Sequence, residues 1–120
     1  KGEADAVIAE IHAEATSEKV AMGWHLDGRA ASILGTHTHI PTSDSRILPN
    51  GSAYRTDLGM SGPYDSVIGR DKDAVLTTFM DSRSRRFPVA GGDVRLCGSL
   101  LQIDRETGKA SSIEDVELTA

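Results

Sequence analysis

The residues describe an α/β chain. Three features carry that expectation: an apolar strand, a helix and a second apolar strand open the sequence, another helix occupies its middle, and two alternating strands close it as a hairpin. A strand-helix-strand order implies that the two strands run parallel, joined by a right-handed crossover.

The elements follow in order. Residues 6–11 (Ala-Val-Ile-Ala-Glu-Ile) form a nearly unbroken apolar run, the mark of a parallel strand covered on both faces. Thr16, Ser17 and Glu18 offer a helix N-cap and an early acidic residue, and predict a helix reaching Leu26. Asp27-Gly28 stops it with turn chemistry. Residues 30–35 are the second apolar strand. Residues 41–51 are rich in turn formers (Pro41, Ser43, Asp44, Ser45, Pro49, Asn50, Gly51), and a connection of that length inside a compact domain is more often functional than idle. Residues 53–58 predict a strand and 59–69 a loop broken by glycine and proline. Residues 71–82 predict a helix, with Val75, Leu76 and Phe79 at helical spacing. Residues 94–104 and 109–118 predict strands joined at Arg105-Glu106-Thr107-Gly108. No internal repeat or low-complexity tract interrupts them.

At 120 residues the chain fits at most one domain. Aromatics reach only 4%, so the core must rest on Val, Ile, Leu and Ala. Acidic residues outnumber basic ones 18 to 13, giving a net charge of -5, which argues against long nucleic acid as a partner. The basic knot Arg83, Arg85 and Arg86 is flanked by Asp81 and reads as a solvated patch. A small anionic substrate fits this charge if a metal supplies the positive field. The lone Cys97 excludes an internal disulfide and suits a reducing cytosol; in the run Val94, Leu96, Leu100 it reads as a small buried hydrophobe rather than a nucleophile. No stretch approaches the about 18 apolar residues of a membrane helix, and no secretory signal is visible, so a cytoplasmic location is expected. The sequence opens on Lys1 and enters an apolar run almost at once, as though it began inside something longer.

Of the four histidines, three fall at strand ends. His37 and His39 lie two apart in Gly35-Thr36-His37-Thr38-His39. On extended backbone such residues face one side, roughly 6.6 Å apart, and both rings can reach one metal or a pair of metals. His12 follows the preceding parallel strand, so its carboxyl end lies beside that of the His37 strand, where open α/β sheets place their sites. His12, His37 and His39 are therefore the expected metal ligands. His25, beside Trp24 within the first helix, reads as structural or exposed. Ligating imidazoles need orienting partners; Glu14, Asp44 and Asp57 are the nearby acids, with Glu14 and Asp57 preferred. No nucleophile elbow, phosphate-binding glycine loop or Cys-x-x-Cys pair occurs.

Longer motifs add a family resemblance. His12-Ala13-Glu14-Ala15-Thr16-Ser17-Glu18-Lys19, Leu26-Asp27-Gly28-Arg29, Gly35-Thr36-His37-Thr38-His39 and Arg46-Ile47-Leu48-Pro49 with Gly51 resemble the YmdB-like metallophosphoesterases, a branch of the calcineurin-like superfamily. So do Thr56-Asp57-Leu58-Gly59-Met60-Ser61-Gly62-Pro63 with Ser66-Val67-Ile68-Gly69, and Asp104 with Thr107-Gly108-Lys109-Ala110. The resemblance implies part of a calcineurin-like β-sandwich flanked by helices, with residues 1–120 as the carboxy-terminal half of one metallophosphoesterase domain. It implies phosphodiester hydrolysis, of 2′,3′-cyclic nucleotides for example, at two divalent ions, iron or manganese. His12 and His37 would serve one ion and His39 the other. The general acid and remaining ligands would lie in an amino-terminal half that this sequence lacks, leaving the chain inactive alone. Sheet surface which that half covers would then favour self-association or a homo-oligomer. Two other readings stay open: a mononuclear three-histidine zinc hydrolase or lyase, and a metal-binding or regulatory module without chemistry.

Overall fold

A computed structural model gives the structure, which describes residues 4–120. Its elements run β1 (Ile8–His12), α1 (Thr16–Leu26), β2 (Ser32–Thr36), β3 (Arg46–Ile47), β4 (Ala53–Arg55), β5 (Gly62–Pro63), α2 (Lys72–Asp81), β6 (Val94–Ile103) and β7 (Ala110–Thr119). One sheet has the order β1-β2-β4-β3 and the other β5-β6-β7. The mixed α/β class expected from the sequence, with few helices and two sheets, is the one found. The chain divides into two compact units: the described residues as far as Gly59 with Gly98–Val116, and Met60–Cys97 with Glu117–Ala120.

In the first unit β1, β2 and β4 are parallel, and β3 joins β4 antiparallel. The β1–β2 register pairs Ile8 with Ser32 and ends with His12 level with Thr36. Helix α1 is the crossover between them, as a parallel pair requires. Its N-cap is Ala15 rather than Thr16 or Ser17, with no side-chain cap. Its carboxyl end is knitted to the 50–52 turn: Asp27 accepts from the Asn50 and Ser52 amides at 3.0 and 3.3 Å, and the Gly28 amide donates to Ser52 Oγ at 2.8 Å. The helix lies close on the sheet because Gly23 has no side chain; a Cβ there would sit 2.6 Å from the Tyr54 ring. The core is Ala30, Ile33, Leu48 and Tyr54, with Ala9, Ile11, Val20 and Leu26 packed against it. Burying an aliphatic side chain such as Ile33 stabilises by about 1.5–3 kcal/mol, so a core of this size is modest.

Buried Arg55 ties this sheet to the hairpin segment of the same unit. Its guanidinium donates to the carbonyls of Thr42 and Gly98 at 2.9 and 2.8 Å and pairs with Asp115 at 3.2 Å. Strands β6 and β7 are joined at Asp104, whose Oδ1 accepts the Glu106 and Thr107 amides at 2.8 Å each, and Gly108 takes a φ of 70° that favours glycine.

The second unit holds α2, β5 and the start of β6. Asp71 caps α2, accepting from the Ala74 amide at 2.9 Å, and Ser82 ends it in the left-handed region. The spacing of Val75, Leu76 and Phe79 predicts a buried stripe, yet only Val75 is buried; Phe79 is 79% exposed and the adjacent Met80 88%. Among the described residues nothing packs over that face. Arg85 forks onto Asp81 at 2.7 and 2.5 Å, so the basic knot is partly neutralised by its neighbour. Cys97 is half-buried, its Sγ 3.1 Å from Tyr64 Oη. Burial and that thiol push the Tyr64 hydroxyl up to about 12, so it stays a neutral donor to the Met60 carbonyl. No helix among the described residues is long and apolar enough to cross a membrane.

Candidate metal centre

The parallel register brings two of the predicted ligands together. His12 ends β1, level with Thr36 at the end of β2, and His37 comes one residue later. The rings meet edge to face with centroids 4.8 Å apart and planes 86° apart, and His37 Nδ1 lies 3.1 Å from His12 Nε2.

Each ring is held on its other nitrogen by an acid, directly or through a hydroxyl. His37 Nε2 is 3.0 Å from Glu14 Oε2. His12 Nδ1 is 2.9 Å from Thr36 Oγ1, and Thr36 Oγ1 donates to Glu10 in a short hydrogen bond. These partners set the tautomers. A carboxylate only accepts, so His37 carries its proton on Nε2. The Thr36 proton is committed to Glu10, so Thr36 Oγ1 accepts, and His12 carries its proton on Nδ1. The remaining nitrogens, His37 Nδ1 and His12 Nε2, face each other at hydrogen-bond distance, 3.1 Å apart. Either a shared proton or a metal ion can bridge two imidazole nitrogens so placed.

The gap fits a metal. Two imidazole nitrogens held about 2.1 Å from one ion stand about 3 Å apart at the right angles of an octahedral site and about 3.4 Å apart in a tetrahedral one, so 3.1 Å suits the octahedral case. The carboxylate-oriented histidine is also the usual way in which proteins fix metal-ligating rings. Glu14, expected as an orienting acid, reaches His37 directly.

Two expectations need correction. Residues 37–39 do not continue the strand: β2 ends at Thr36, and His37 and His39 have φ values of 104° and 68°. The extended geometry that would point both rings to one side is therefore absent. Non-glycine residues held at such angles cost of order 1–3 kcal/mol each and cluster at functional sites. Among the described residues no three His, Cys, Asp or Glu side chains group to hold one ion, so the three-histidine site expected from the sequence is not assembled as such.

Asp57 touches neither ring of the pair. Its Oδ2 accepts from the Thr38 amide at 3.0 Å, Thr38 Oγ1 at 2.8 Å and Lys19 Nζ at 2.8 Å, and its Oδ1 accepts from the Gly59 amide at 2.9 Å. Burial pushes the Asp57 carboxyl up, but the bonds from Lys19, Gly59 and Thr38 together outweigh it and hold the group below the usual 3.8. Asp44, fixed by the Thr56 amide at 3.1 Å, is lowered likewise, its hydrogen bonds from Thr42 and Thr56 overcoming burial. A depressed carboxyl stabilises the fold fully above its unfolded value, and that stability is lost as pH falls through the lower folded value. The urea midpoint of the chain is therefore expected to fall steeply below about pH 4, and Asp57→Asn to flatten that acid limb while lowering the neutral plateau. An acid limb unchanged in the variant would contradict the assignment.

Sequence reasoning passed over Lys19, Glu10, Thr36 and Thr38. Lys19 had a readable signal: with Gly23 and Leu26 it falls at i, i+4 and i+7, on the stripe that α1 turns to the sheet. The other three reveal themselves only through the register.

An acid-oriented histidine pair thus stands at the tips of two parallel strands of a mixed α/β fold. The family model described as YmdB-like protein matches residues 1–116, and the chain belongs to that family. It is 49% identical over 110 residues to the 2′,3′-cyclic-nucleotide 2′-phosphodiesterase of Bacillus subtilis, a match spanning 92% of this chain and 42% of that protein. Among solved structures, a hypothetical protein from Thermus thermophilus superposes with a TM-score of 0.90 and 43% identity, over 99% of this chain and 46% of that one. A structure described as a novel phosphatase from Mycoplasma pneumoniae gives 0.92 and 39%, over 98% and 42%. The chain thus spans less than half the length of these relatives.

Proposed function

We propose that this chain supplies the histidine part of a metal-dependent phosphodiesterase centre. The observation that carries the reading is the facing pair of ring nitrogens, His12 Nε2 and His37 Nδ1, 3.1 Å apart with their far sides held by Thr36 and Glu14. His12 and His37 hold one divalent ion, iron or manganese, and His39 serves a second. Two such ions, when bound, would supply Lewis-acid chemistry at phosphoryl oxygens and at water. Glu14 holds a proton on His37 Nε2, and Thr36 with Glu10 holds one on His12 Nδ1, so the facing nitrogens are the ones turned towards an ion. Because the match spans only 42% of the Bacillus subtilis relative, the reading assigns the remaining ligands and the general acid to the part of such a protein that the match does not cover, with these residues inactive alone.

The name of the Bacillus subtilis relative supports a small cyclic phosphodiester as substrate, and the net charge of -5 fits a small anion drawn by metal rather than by basic side chains. Exposed Ile8, Leu96, Leu100 and Leu118 give the isolated chain apolar surface for self-association, which light scattering measures. A cytoplasmic setting suits the lone thiol.

The test is a calorimetric titration of the chain with Mn²⁺, followed by hydrolysis of 2′,3′-cyclic AMP after adding the amino-terminal half of a full-length family member. Saturable Mn²⁺ binding lost in His12→Ala, with turnover only in the mixture, is the expected outcome. Absence of binding, or binding indifferent to His12, would contradict the reading. Glu14→Ala is expected to weaken Mn²⁺ binding by about 10-fold or more while shifting stability by less than about 0.5 kcal/mol, because the side chain is largely exposed.

A further inference from the structure

The turn that carries His37 and His39 is fastened from beneath by a lysine that no part of the metal chemistry uses. Lys19 comes from α1, and its side chain is 1% exposed. Its Nζ reaches Asp57 at 2.8 Å. The same Asp57 oxygen takes both Thr38 donors, the amide and the hydroxyl. Thr38 is the residue between the two histidines, and both of its neighbours hold positive φ. A turn with that backbone does not persist by local preference, so something must over-determine it.

Gly35 makes room for the fastening. A Cβ at residue 35 would come within 3.0 Å of Lys19 Cδ as well as into the Thr56 backbone. The glycine of the Gly-Thr-His-Thr-His run thus leaves space beside the lysine stem as it crosses towards Asp57.

We propose that Lys19 and Asp57 form a buried clamp that sets the His37-Thr38-His39 turn before any ion arrives, making both of them positioning residues for the metal centre. The cation is needed because Asp57 alone would be a buried charge aimed at a surface turn. Paired with Lys19 it stays ionised, and an ionised carboxylate can accept both Thr38 donors and the ammonium on one oxygen. Prearranged ligands bind an ion without the added cost of ordering the turn that bears them, so loosening the clamp reads out as weaker metal binding.

The inference rests on the metal-centre reading, and the test keeps the two apart. Lys19→Met, Thr38→Val and Thr38→Ser are made in this chain. Mn²⁺ affinity is measured by calorimetry, and exchange of the residue 38 amide, corrected for intrinsic rate, by NMR on the metal-free protein. Lys19→Met and Thr38→Val are expected to bind Mn²⁺ about 10- to 100-fold more weakly, with the residue 38 amide exchanging about 10-fold faster or more. Thr38→Ser, which keeps the hydroxyl donor, retains parental values in both. His12→Ala weakens Mn²⁺ but leaves the amide protected. Should Lys19→Met fail to fold, the contrast between Thr38→Val and Thr38→Ser decides, since both keep the Lys19–Asp57 pair. Parental affinity and parental protection in Lys19→Met and Thr38→Val, even with a lowered melting temperature, would reduce the pair to a structural ion pair and overturn the proposal. A parental chain that takes up no Mn²⁺ sinks the metal-centre reading, and amide exchange alone then decides the clamp.

Discussion

Gly35→Ala is expected to destabilise the chain by about 3 kcal/mol or more, the upper end of what overpacking costs. The reason is contact rather than backbone angle. A Cβ on residue 35 would fall 1.7 Å from the Thr56 carbonyl oxygen and 2.6 Å from its carbonyl carbon. Neither is the end of a flexible side chain; both belong to the segment leaving β4, which pairs with β2 from Ser32 to Leu34. Relief requires β2 and the 56–58 segment to move apart, breaking the bond from the Leu58 amide to the Gly35 carbonyl, now 2.9 Å. That movement also carries Asp57 away from Thr38. Urea denaturation checks the stability, and a midpoint within error of the parent would show that the close approach is not real. A chain of this size is stable by roughly 5–15 kcal/mol, so the variant remains foldable but visibly weakened.

The second large effect concerns metal binding and runs opposite to stability. His37→Ala is expected to lower Mn²⁺ affinity by more than about 100-fold, beyond the range for groups one step removed from the ion. It removes one of the two facing nitrogens and strands the Glu14 carboxylate. His37→Gly should lose the metal equally, yet glycine accepts the φ of 104° at residue 37 without penalty. His37→Gly should therefore melt higher than His37→Ala, by an amount corresponding to about 1 kcal/mol. Stability and affinity separate because the histidine is kept at a strained position for what its ring does. If His37→Gly were the less stable of the two, the backbone would not be strained there.

How far the residues announced this arrangement varies with the kind of interaction involved. Long apolar or alternating runs announced β1, β2, β6 and β7, and Asp27-Gly28 announced the end of α1, because burial and turn chemistry write themselves into residue type. The two-residue strands β3 and β5 were hidden inside expected loops, since so short a pairing is decided by its partner and leaves no period. The meeting of His12 with His37 followed from parallel pairing alone. The extended path through His39 did not, because Thr38 gives up strand geometry to bond Asp57 across 19 residues. The apolar spacing of Phe79 promised burial, but nothing among the described residues covers it. Lys19 was the subtlest case: a charge on a buried stripe looks like a flaw in the pattern until its partner just beyond β4 is known.

Crystals of the chain soaked in Mn²⁺, with diffraction collected at the manganese edge, test the central claim most directly. An anomalous peak about 2.1 Å from both His12 Nε2 and His37 Nδ1, with Glu14 still on His37 Nε2, is the predicted result. Ordered rings at both residues with no peak between them, or with the rings turned apart at full Mn²⁺ saturation, would contradict it.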